Sequence, residues 1–245
     1  LCDYCKTLCE NPIFPKERVY GGNNWYYAYG KSSYEEILSD AVLQAELAED
    51  IENRPFEVID DCWQINSCEG PWIANDKFGD MKNLADDIRK AGARPGIWVR
   101  LLHNRDEAIT EDMRIFRSGK KQYLDPSHPA VKEYIKADIE RIKSWGYELI
   151  KHDFTTADLF GDWGPDLNET ITKIDGWHFC DKSKTNAEIV LDLYRLIKET
   201  AGDVYIIGCN TIPHLCAGLV EINRTGNDTS GREWEPTKQN GVNTL

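Results

Sequence analysis

The stretch ELIKHDF, residues 148–154, says most about the fold of this chain. Its apolar residues run directly into Lys151 and Asp153, the pattern of a buried strand that surfaces with a cation and a carboxylate. Because side chains alternate along a strand, Lys151 and Asp153 share one face and His152 takes the other. A nearby lysine favours the ionised form of Asp153. The stretch therefore predicts either an ion pair at a strand end or a carboxylate nucleophile, with His152 packed behind the strand.

Strand-like and helix-like segments alternate along the chain. Strands are predicted near residues 18–20, 56–59, 96–99, 147–150, 204–208 and 221–224. Helix starts and ends are marked by Ser33 with Glu36, Pro129, Thr185 with Glu188, Gly92, Gly146 and Gly202. About thirty loop residues follow the fourth strand, a length that indicates a functional insertion.

This alternation predicts parallel βαβ units, which form either a doubly wound sheet or a (β/α)8 barrel. The barrel is favoured because polar residues recur where each strand ends, and those ends converge on one face of a barrel. The polar clusters are Asn24/Trp25, Asp60/Asp61, Arg100, Lys151/Asp153, Cys209/Asn210 and Arg224/Asp228. The prediction is an α/β fold, an incomplete (β/α)8 TIM barrel with about the first six βα units. Residues 241–245 look like the opening of the seventh strand.

The first residues differ from the rest of the chain. We expect residues 1–17 to be a linker or the end of a preceding domain, and residues 18–245 to be a partial catalytic barrel. Cys2, Cys5 and Cys9 resemble half of a metal site, but a closed zinc site needs four ligands and no second Cys-x-x-Cys pair follows. Ordinary thiols are the preferred interpretation, and no metal is predicted.

The charge of the chain excludes some kinds of partner. The 245 residues include 42 acidic and 29 basic side chains, with a formal net charge of -13. A nucleic-acid partner is disfavoured because such binding depends on clustered Lys and Arg. No apolar run approaches the ~18–20 residues of a membrane span, so no membrane partner is expected. A homo-oligomer is compatible with the sequence. The acidic composition and scattered cysteines favour a bacterial cytoplasm, with a secreted or periplasmic location as the alternative.

Two carboxylates suit glycoside hydrolysis. Retaining glycosidases place two carboxyl groups about 5–5.5 Å apart on either side of the bond that is cut. Asp153 is the candidate nucleophile, and Asp228, four residues after Arg224, is the candidate acid/base two strands later. Glu233 and Glu235 are rivals for the second role but lack its strand-end position. A general acid needs a raised pKa, so we expect Asp228 to be partly buried.

Six short motifs occur at the predicted strand ends. They are Asn24-Trp25, Ile59-Asp60-Asp61-Cys62-Trp63, Gly96-Ile97-Trp98, Ile150-Lys151-His152-Asp153, Gly208-Cys209-Asn210 and Arg224-x-x-x-Asp228. With these motifs in this order, the chain resembles the α-galactosidase group, glycoside hydrolase families 27 and 36 of clan D. It is most similar to bacterial family 36-like members. The similarity covers roughly residues 18–245.

The resemblance implies a (β/α)8 barrel that hydrolyses terminal α-linked galactose with retention and needs no cofactor. It assigns Asp153 as the nucleophile and Asp228 as the general acid/base. The substrate-binding residues that it implies are Trp25, Asp60, Asp61, Trp98, Lys151, Cys209, Asn210 and Arg224. In this assignment the Asp60-Asp61 pair and the lysine hold sugar hydroxyls, and the tryptophans line the sugar. The cysteine packs near the 2-position, and the arginine contacts the sugar or positions Asp228.

Departures from the family leave alternatives open. Animal family 27 enzymes carry an acidic residue where this chain has Asn210, so the exact sugar is undetermined. A cysteine near the nucleophile in those enzymes is also absent, since Phe154 follows Asp153. Another retaining α-glycosidase of the clan, such as an α-N-acetylgalactosaminidase or an α-glucan-active enzyme, is one alternative. A non-catalytic carbohydrate-binding barrel is another. In each case the expected partner is an oligosaccharide or glycan.

Overall fold

The computed structural model describes residues 2–116, 123–160 and 177–244. Its strands are β1 (Gly21–Asn23), β2 (Phe56–Ile59), β3 (Gln64–Asn66), β4 (Glu69–Ala74), β5 (Arg94–Val99), β6 (Leu149–His152), β7 (Tyr205–Gly208) and β8 (Ile222–Asn223). Its α-helices are α1 (Cys2–Leu8), α2 (Trp25–Ala28), α3 (Tyr34–Leu47), α4 (Met81–Ala91), α5 (Pro129–Trp145), α6 (Thr155–Phe160), α7 (Asn186–Ala201), α8 (Pro213–Cys216) and α9 (Trp234–Thr244). Among the described residues, a 3-10 turn at Glu111–Met113 precedes α5.

Six parallel strands form the main sheet, in the order β1-β2-β5-β6-β7-β8. The strands follow one another in chain order, with helices between successive strands, and the sheet curls into an incomplete (β/α)8 barrel. This is the predicted fold class. The other two strands, β3 and β4, form an antiparallel hairpin inserted after β2.

The two faces of the sheet bury different side chains. Leu149 packs with Phe56, Val58 and Tyr205 in a small cluster inside the curled sheet. Ile150, the next residue, joins the large core between the sheet and the helices. The alternation puts Lys151 on the inner face and His152 on the outer one, as predicted. His152 is buried, and its Nε2 lies 2.8 Å from the Thr155 hydroxyl.

Helix ends lie where the sequence signals predicted them. The Ser33 hydroxyl accepts a hydrogen bond from the Glu36 N–H at the start of α3. Thr185 and Glu188 form a reciprocal capping box at the start of α7. Gly92 and Gly146 follow α4 and α5, and each has φ of 93°, a left-handed conformation that glycine adopts without steric cost. These helices form the outer layer that covers the sheet.

The structure corrects two of the predicted strands. The first strand lies at Gly21–Asn23 rather than at residues 18–20. Gly21 explains the shift, because a Cβ there would lie 1.9 Å from the Phe56 carbonyl oxygen, and only glycine lets the two strands approach this closely. Residues 241–244 belong to α9 and do not open a seventh strand. That helix packs against the loop after β8, where the Asn240 side chain donates to the Asn227 carbonyl at 2.8 Å.

Other predictions concern the loops and the N-terminal residues. The hairpin of β3 and β4 was not predicted. The loop after the fourth strand begins with α6, and residues 161–176 of it lie outside the described residues. The boundary at residue 17 stays a prediction. In the part of the chain that is described, no helix is long and apolar enough to cross a membrane.

Candidate active site

A cavity of about 160 Å³ lies at the carboxyl end of the sheet. Its lining residues are Trp25, Asp60, Asp61, Cys68, Trp98, Lys151, Asp153, Phe154, Asn210, Arg224 and Asp228. Every site residue predicted from sequence is among them except Cys209. The cavity is smaller than the ~300–1,000 Å³ of pockets that hold drug-sized ligands. Its size suits a single ring with a few polar groups.

Three N–H groups orient the Asp153 carboxylate. The Trp98 indole Nε1 donates to Oδ2 at 3.0 Å, and the Phe154 backbone N–H donates to Oδ1 at 2.7 Å. The Asn210 amide also donates to Oδ1, at 2.6 Å. Asp153 is buried at the end of β6, and these contacts fix its orientation toward the cavity. Oδ2 accepts one of the three bonds, which leaves it the less occupied oxygen.

Lys151 pairs with Asp60 rather than with Asp153, its neighbour in sequence. Its Nζ lies 2.6 Å from Asp60 Oδ2, and both side chains are buried. Burial is the largest single influence and alone would lower the pKa of Lys151, but Asp60, together with Cys209 and Asp153, raises the pKa above its usual value. Asn23 donates to the same Asp60 oxygen at 2.7 Å. Lys151 is therefore a charged, hydrogen-bonding cation in the cavity wall, and Cys209 and Asp153 are weaker electrostatic partners than Asp60.

The β3–β4 hairpin holds the Asp61 carboxylate. Strand β2 ends at Ile59, so Asp60 and Asp61 leave the strand and both reach the cavity. Asp61 accepts hydrogen bonds from the Gln64 amide at 2.6 Å and the Ser67 hydroxyl at 2.9 Å. The Cys68 N–H and thiol donate to it at 2.8 and 2.9 Å. Burial by itself would raise the pKa of Asp61, but these bonds hold it below its usual value.

Asp228 lies at the mouth of the cavity. Its Oδ1 is 2.5 Å from Arg224 Nη1, and its side chain is 53% exposed. About half of this side chain is thus exposed, which is more than the expected partial burial implied. The same guanidinium nitrogen donates to the Cys209 sulfur at 3.3 Å. Cys209 is buried behind Arg224 and supports it, which explains why the cysteine does not line the cavity.

Tyr26 belongs to this site, although it was not among the residues predicted from sequence. Its hydroxyl lies 3.4 Å from Asp228 Oδ1. Burial is the main reason that the pKa of Tyr26 is raised; Lys151 and Arg224 oppose the shift, and Asp228 adds to it. The phenol therefore lies among the charged groups of the cavity. Its position directly after the predicted Trp25 is the only signal that would have pointed to it.

The two predicted tryptophans line the cavity in different ways. Trp98 is buried and presents its indole N–H to Asp153. Trp25 is partly exposed and packs edge-on against Tyr29, with ring centroids 5.8 Å apart. The rival acids Glu233 and Glu235 are exposed near the start of α9 and do not line the cavity. Asp228 is therefore the better placed second carboxylate.

The described residues offer no grouping of three or more His, Cys, Asp or Glu side chains suited to a metal ion. The side chains of Cys2 and Cys5 lie outside the description, so the idea of a half-site with Cys9 stays open. The carboxylates of the cavity are instead engaged by N–H, O–H and thiol donors.

Comparisons with known proteins support the fold. No protein-family model matches the chain, and no curated protein matches it. Among solved structures, it is similar to the α-galactosidase from Thermus thermophilus in complex with stachyose, at 19% identity and TM-score 0.65 over 97% of this chain and 50% of that one. It is similar to the α-galactosidase from Lactobacillus brevis, at 17% identity and TM-score 0.64 over 94% of this chain and 32% of that one. It is also similar to the GH36 α-galactosidase from Geobacillus stearothermophilus in complex with raffinose, at 20% identity and TM-score 0.56 over 84% of this chain and 30% of that one.

At these identities the likeness establishes the fold. The chain has the barrel architecture of clan D α-galactosidases, which confirms the resemblance that the motifs indicated. It spans about half the length of the Thermus thermophilus enzyme.

Proposed function

We propose that this chain carries the active site of a retaining glycoside hydrolase that removes terminal α-linked galactose. The observation that supports this most is that Asp153 and Asp228, from the ends of β6 and β8, line one small cavity. Asp60, Asp61 and Lys151 line it too, and charged groups of this kind bind sugar hydroxyls through strong hydrogen bonds. Paired carboxylates across a sugar-sized cavity are what double displacement requires.

The proposed reaction has two steps. In the first, Asp153 Oδ2 attacks the anomeric carbon, the glycosidic C–O bond breaks, and Asp228 gives its proton to the leaving oxygen. The product is a glycosyl ester of Asp153. In the second, Asp228 takes a proton from water, the water oxygen attacks the same carbon, and the bond from that carbon to Asp153 Oδ2 breaks. This returns Asp153 as a carboxylate and releases the sugar with its configuration retained.

The contacts of the two carboxylates suit these roles. Three N–H groups hold Asp153 in one orientation before any substrate arrives, which lowers the cost of reaching the attacking geometry. The Arg224 contact suits the second step, in which Asp228 is ionised and acts as a base. For the first step, the leaving-group oxygen has to replace the guanidinium beside Asp228, and the sugar has to exclude water from this half-exposed carboxyl group.

The test is hydrolysis of p-nitrophenyl α-galactoside by the intact protein. We expect Asp153→Ala to lower kcat by at least about 10⁴-fold, as loss of a nucleophile does in other enzymes. Loss of the acid/base in Asp228→Asn should cost about 10²–10⁴-fold. Glu233→Gln is the matched control, because this exposed acid follows the same strand outside the cavity, and it should retain full activity. Unchanged turnover in Asp153→Ala would falsify the nucleophile assignment.

Two further measurements define the reaction. Proton NMR of the first sugar released should show the α-anomer, and a β-anomer would mean inversion and a different use of the two carboxylates. A panel of aryl glycosides tests the sugar, which Asn210 leaves open. Hydrolysis confined to α-glucosides or α-N-acetylgalactosaminides would keep the retaining mechanism and remove galactose from the proposal.

A further inference from the structure

A buried ion pair lies directly behind the cavity. Arg100 follows β5, and Asp158 lies in α6; their side chains are 9% and 0% exposed. Arg100 Nε is 3.0 and 3.1 Å from the two Asp158 oxygens, and Nη2 is 2.6 Å from Oδ1. Neither residue lines the cavity. Any effect on a ligand would therefore pass through the residues that Arg100 contacts.

The guanidinium contacts two residues that do line the cavity. Its Cζ lies 4.0 Å from the centroid of the Phe154 ring, a close cation–π contact. On the other side, Nη1 donates to the Cys68 carbonyl oxygen at 3.4 Å. One rigid, planar group thus joins the segment after β6 to the hairpin after β2. A lysine at this position would lack the planar, forked set of N–H donors that makes these contacts together.

Phe154 and Cys68 in turn hold the two carboxylates. Phe154 has φ of 70°, a strained value for a residue with a side chain, and its N–H donates to Asp153 Oδ1. Cys68 has φ of 60° and gives its N–H and thiol to Asp61. Strained backbone persists only where the surrounding structure enforces it. Arg100 contacts both Phe154 and Cys68 and so forms part of the structure around each of these strained positions.

The energetics argue against a simple stabilising role. Taking two charges out of water costs about as much as their attraction returns, and apolar replacements of similar volume are often neutral or stabilising. A multiply hydrogen-bonded pair contributes directional geometry that apolar packing does not supply. An ion pair at this point is therefore better explained by the need to fix positions than by a need for stability.

We propose that the Arg100–Asp158 pair is a positioning device that sets the distance between the nucleophile Asp153 and the sugar-binding Asp61. The inference rests on the proposed function of this cavity. It makes Arg100 and Asp158 positioning residues, which act through Phe154 and Cys68 and do not touch the sugar themselves. Their removal should impair the chemical step more than the stability of the fold.

The test compares Arg100→Met/Asp158→Leu with Arg100→Lys in the intact protein. The double variant removes both charges together, so no unpaired charge is left in the core. We expect its thermal midpoint to stay close to that of the wild type, while kcat for p-nitrophenyl α-galactoside falls by about 10–100-fold, the effect of misplacing groups by up to 1 Å. Arg100→Lys keeps the charge without the fork and should show an intermediate loss. A folded double variant with wild-type kcat and KM would overturn the proposal.

A crystal structure of the double variant separates this inference from the proposed function. If the wild type hydrolyses no glycoside, the proposed function is wrong, and the positioning role is decided by coordinates alone. We expect the Phe154 ring and the Cys68 carbonyl to shift in the variant, and with them the Asp153 and Asp61 carboxylates. If all four groups keep their wild-type positions, the pair positions nothing.

Discussion

Tyr26 links the first strand to the last at the mouth of the cavity. It follows β1, and its hydroxyl reaches Asp228 Oδ1 beyond β8 at 3.4 Å. Arg224 holds the same oxygen from the other side. The phenol and the guanidinium together limit where the half-exposed Asp228 carboxylate can point. A hydroxyl that donates to this carboxylate helps to hold it in place for the proposed second step, in which Asp228 takes a proton from water.

Tyr26→Phe should lower kcat for galactoside hydrolysis about 2–10-fold, the loss expected for a single hydrogen bond of ~0.5–1.5 kcal/mol. The loss should be larger for the hydrolysis of the glycosyl ester than for its formation. A burst of p-nitrophenol in rapid-mixing experiments would report the accumulated ester. Tyr27→Phe is the matched control, because Tyr27 bonds to Asp40 outside the cavity. Equal effects of the two variants would contradict a specific role for Tyr26.

Sequence reasoning at the residue scale succeeded where a residue ends a strand. Asp153, Asn210 and Arg224 lie within two residues of strand ends, so the convergence of strand ends predicted that they would meet. It did not identify the partner of Lys151, which is Asp60, 91 positions away, rather than Asp153. Spacing along the sequence describes contacts within one strand. Asp60 instead follows β2, which is separated from the Lys151 strand β6 by β5, so this contact depends on the curl of the sheet.

At the scale of elements, β2 and α3 enclose an acidic side chain. Glu57 is 1% exposed on β2, between that strand and the helix. The Gln44 amide of α3 donates to its Oε2, and Gln44 Oε1 accepts the Gly22 N–H at 2.9 Å. Burial, with a smaller contribution from the Asp40 carboxylate on the same helix, raises the pKa of Glu57 to about 8. The carboxyl group is therefore protonated in the folded protein over most of the physiological range.

Glu57→Gln should stabilise the protein, and more so as the pH rises. The folded pKa is about 8 and the ordinary value is 4.5, so folding favours the protonated acid. The contribution of the protonated Glu57 to the free energy of unfolding is fully present below pH 4.5 and is lost progressively up to pH 8. The loss is about 1.4 kcal/mol for each pKa unit between the folded and the ordinary value. A glutamine keeps an oxygen acceptor for Gln44 and cannot ionise. We expect the thermal midpoints of variant and wild type to be similar near pH 4.5 and to separate by several degrees near pH 8.

The control is Glu46→Gln, which removes a charge from the exposed face of α3. Its thermal midpoint should follow that of the wild type at every pH. If the thermal midpoint of Glu57→Gln differs from that of the wild type by the same amount at every pH, the carboxyl group does not change its ionisation on folding. The argument from burial would then be wrong.

Which elements could be predicted depended on the strength of local signals. The caps of α3, α4, α5 and α7 are encoded by residues within one turn, so the sequence located these ends. The β3–β4 hairpin carries no comparable signal, since β3 has three residues. Cys62 and Cys68, with φ of 79° and 60°, occupy left-handed positions on either side of β3 where a glycine would have marked a turn. Because the hairpin was not predicted, its contacts with Asp61 were not predicted from the sequence either.

At the scale of the whole molecule, strand order separates a barrel from a doubly wound sheet. Strand and helix periodicity is the same in both, because both are built from βαβ units. A doubly wound sheet reverses its strand order at one point, whereas here all six strands follow in chain order. Only the repeated polar residues at strand ends carried this information in the sequence. The end of α9 in place of a seventh strand was missed because Gly241 and Val242 have no decisive local preference.

The six-stranded sheet has two edge strands, β1 and β8. Strand edges with unpaired N–H and C=O groups are sites of association between chains. A protein that leaves both of these edges open is therefore expected to self-associate as its concentration rises. Sedimentation velocity on residues 1–245 at increasing protein concentration measures this association. A protein of residues 1–245 that stays monomeric at every concentration would show that neither edge is open to another chain.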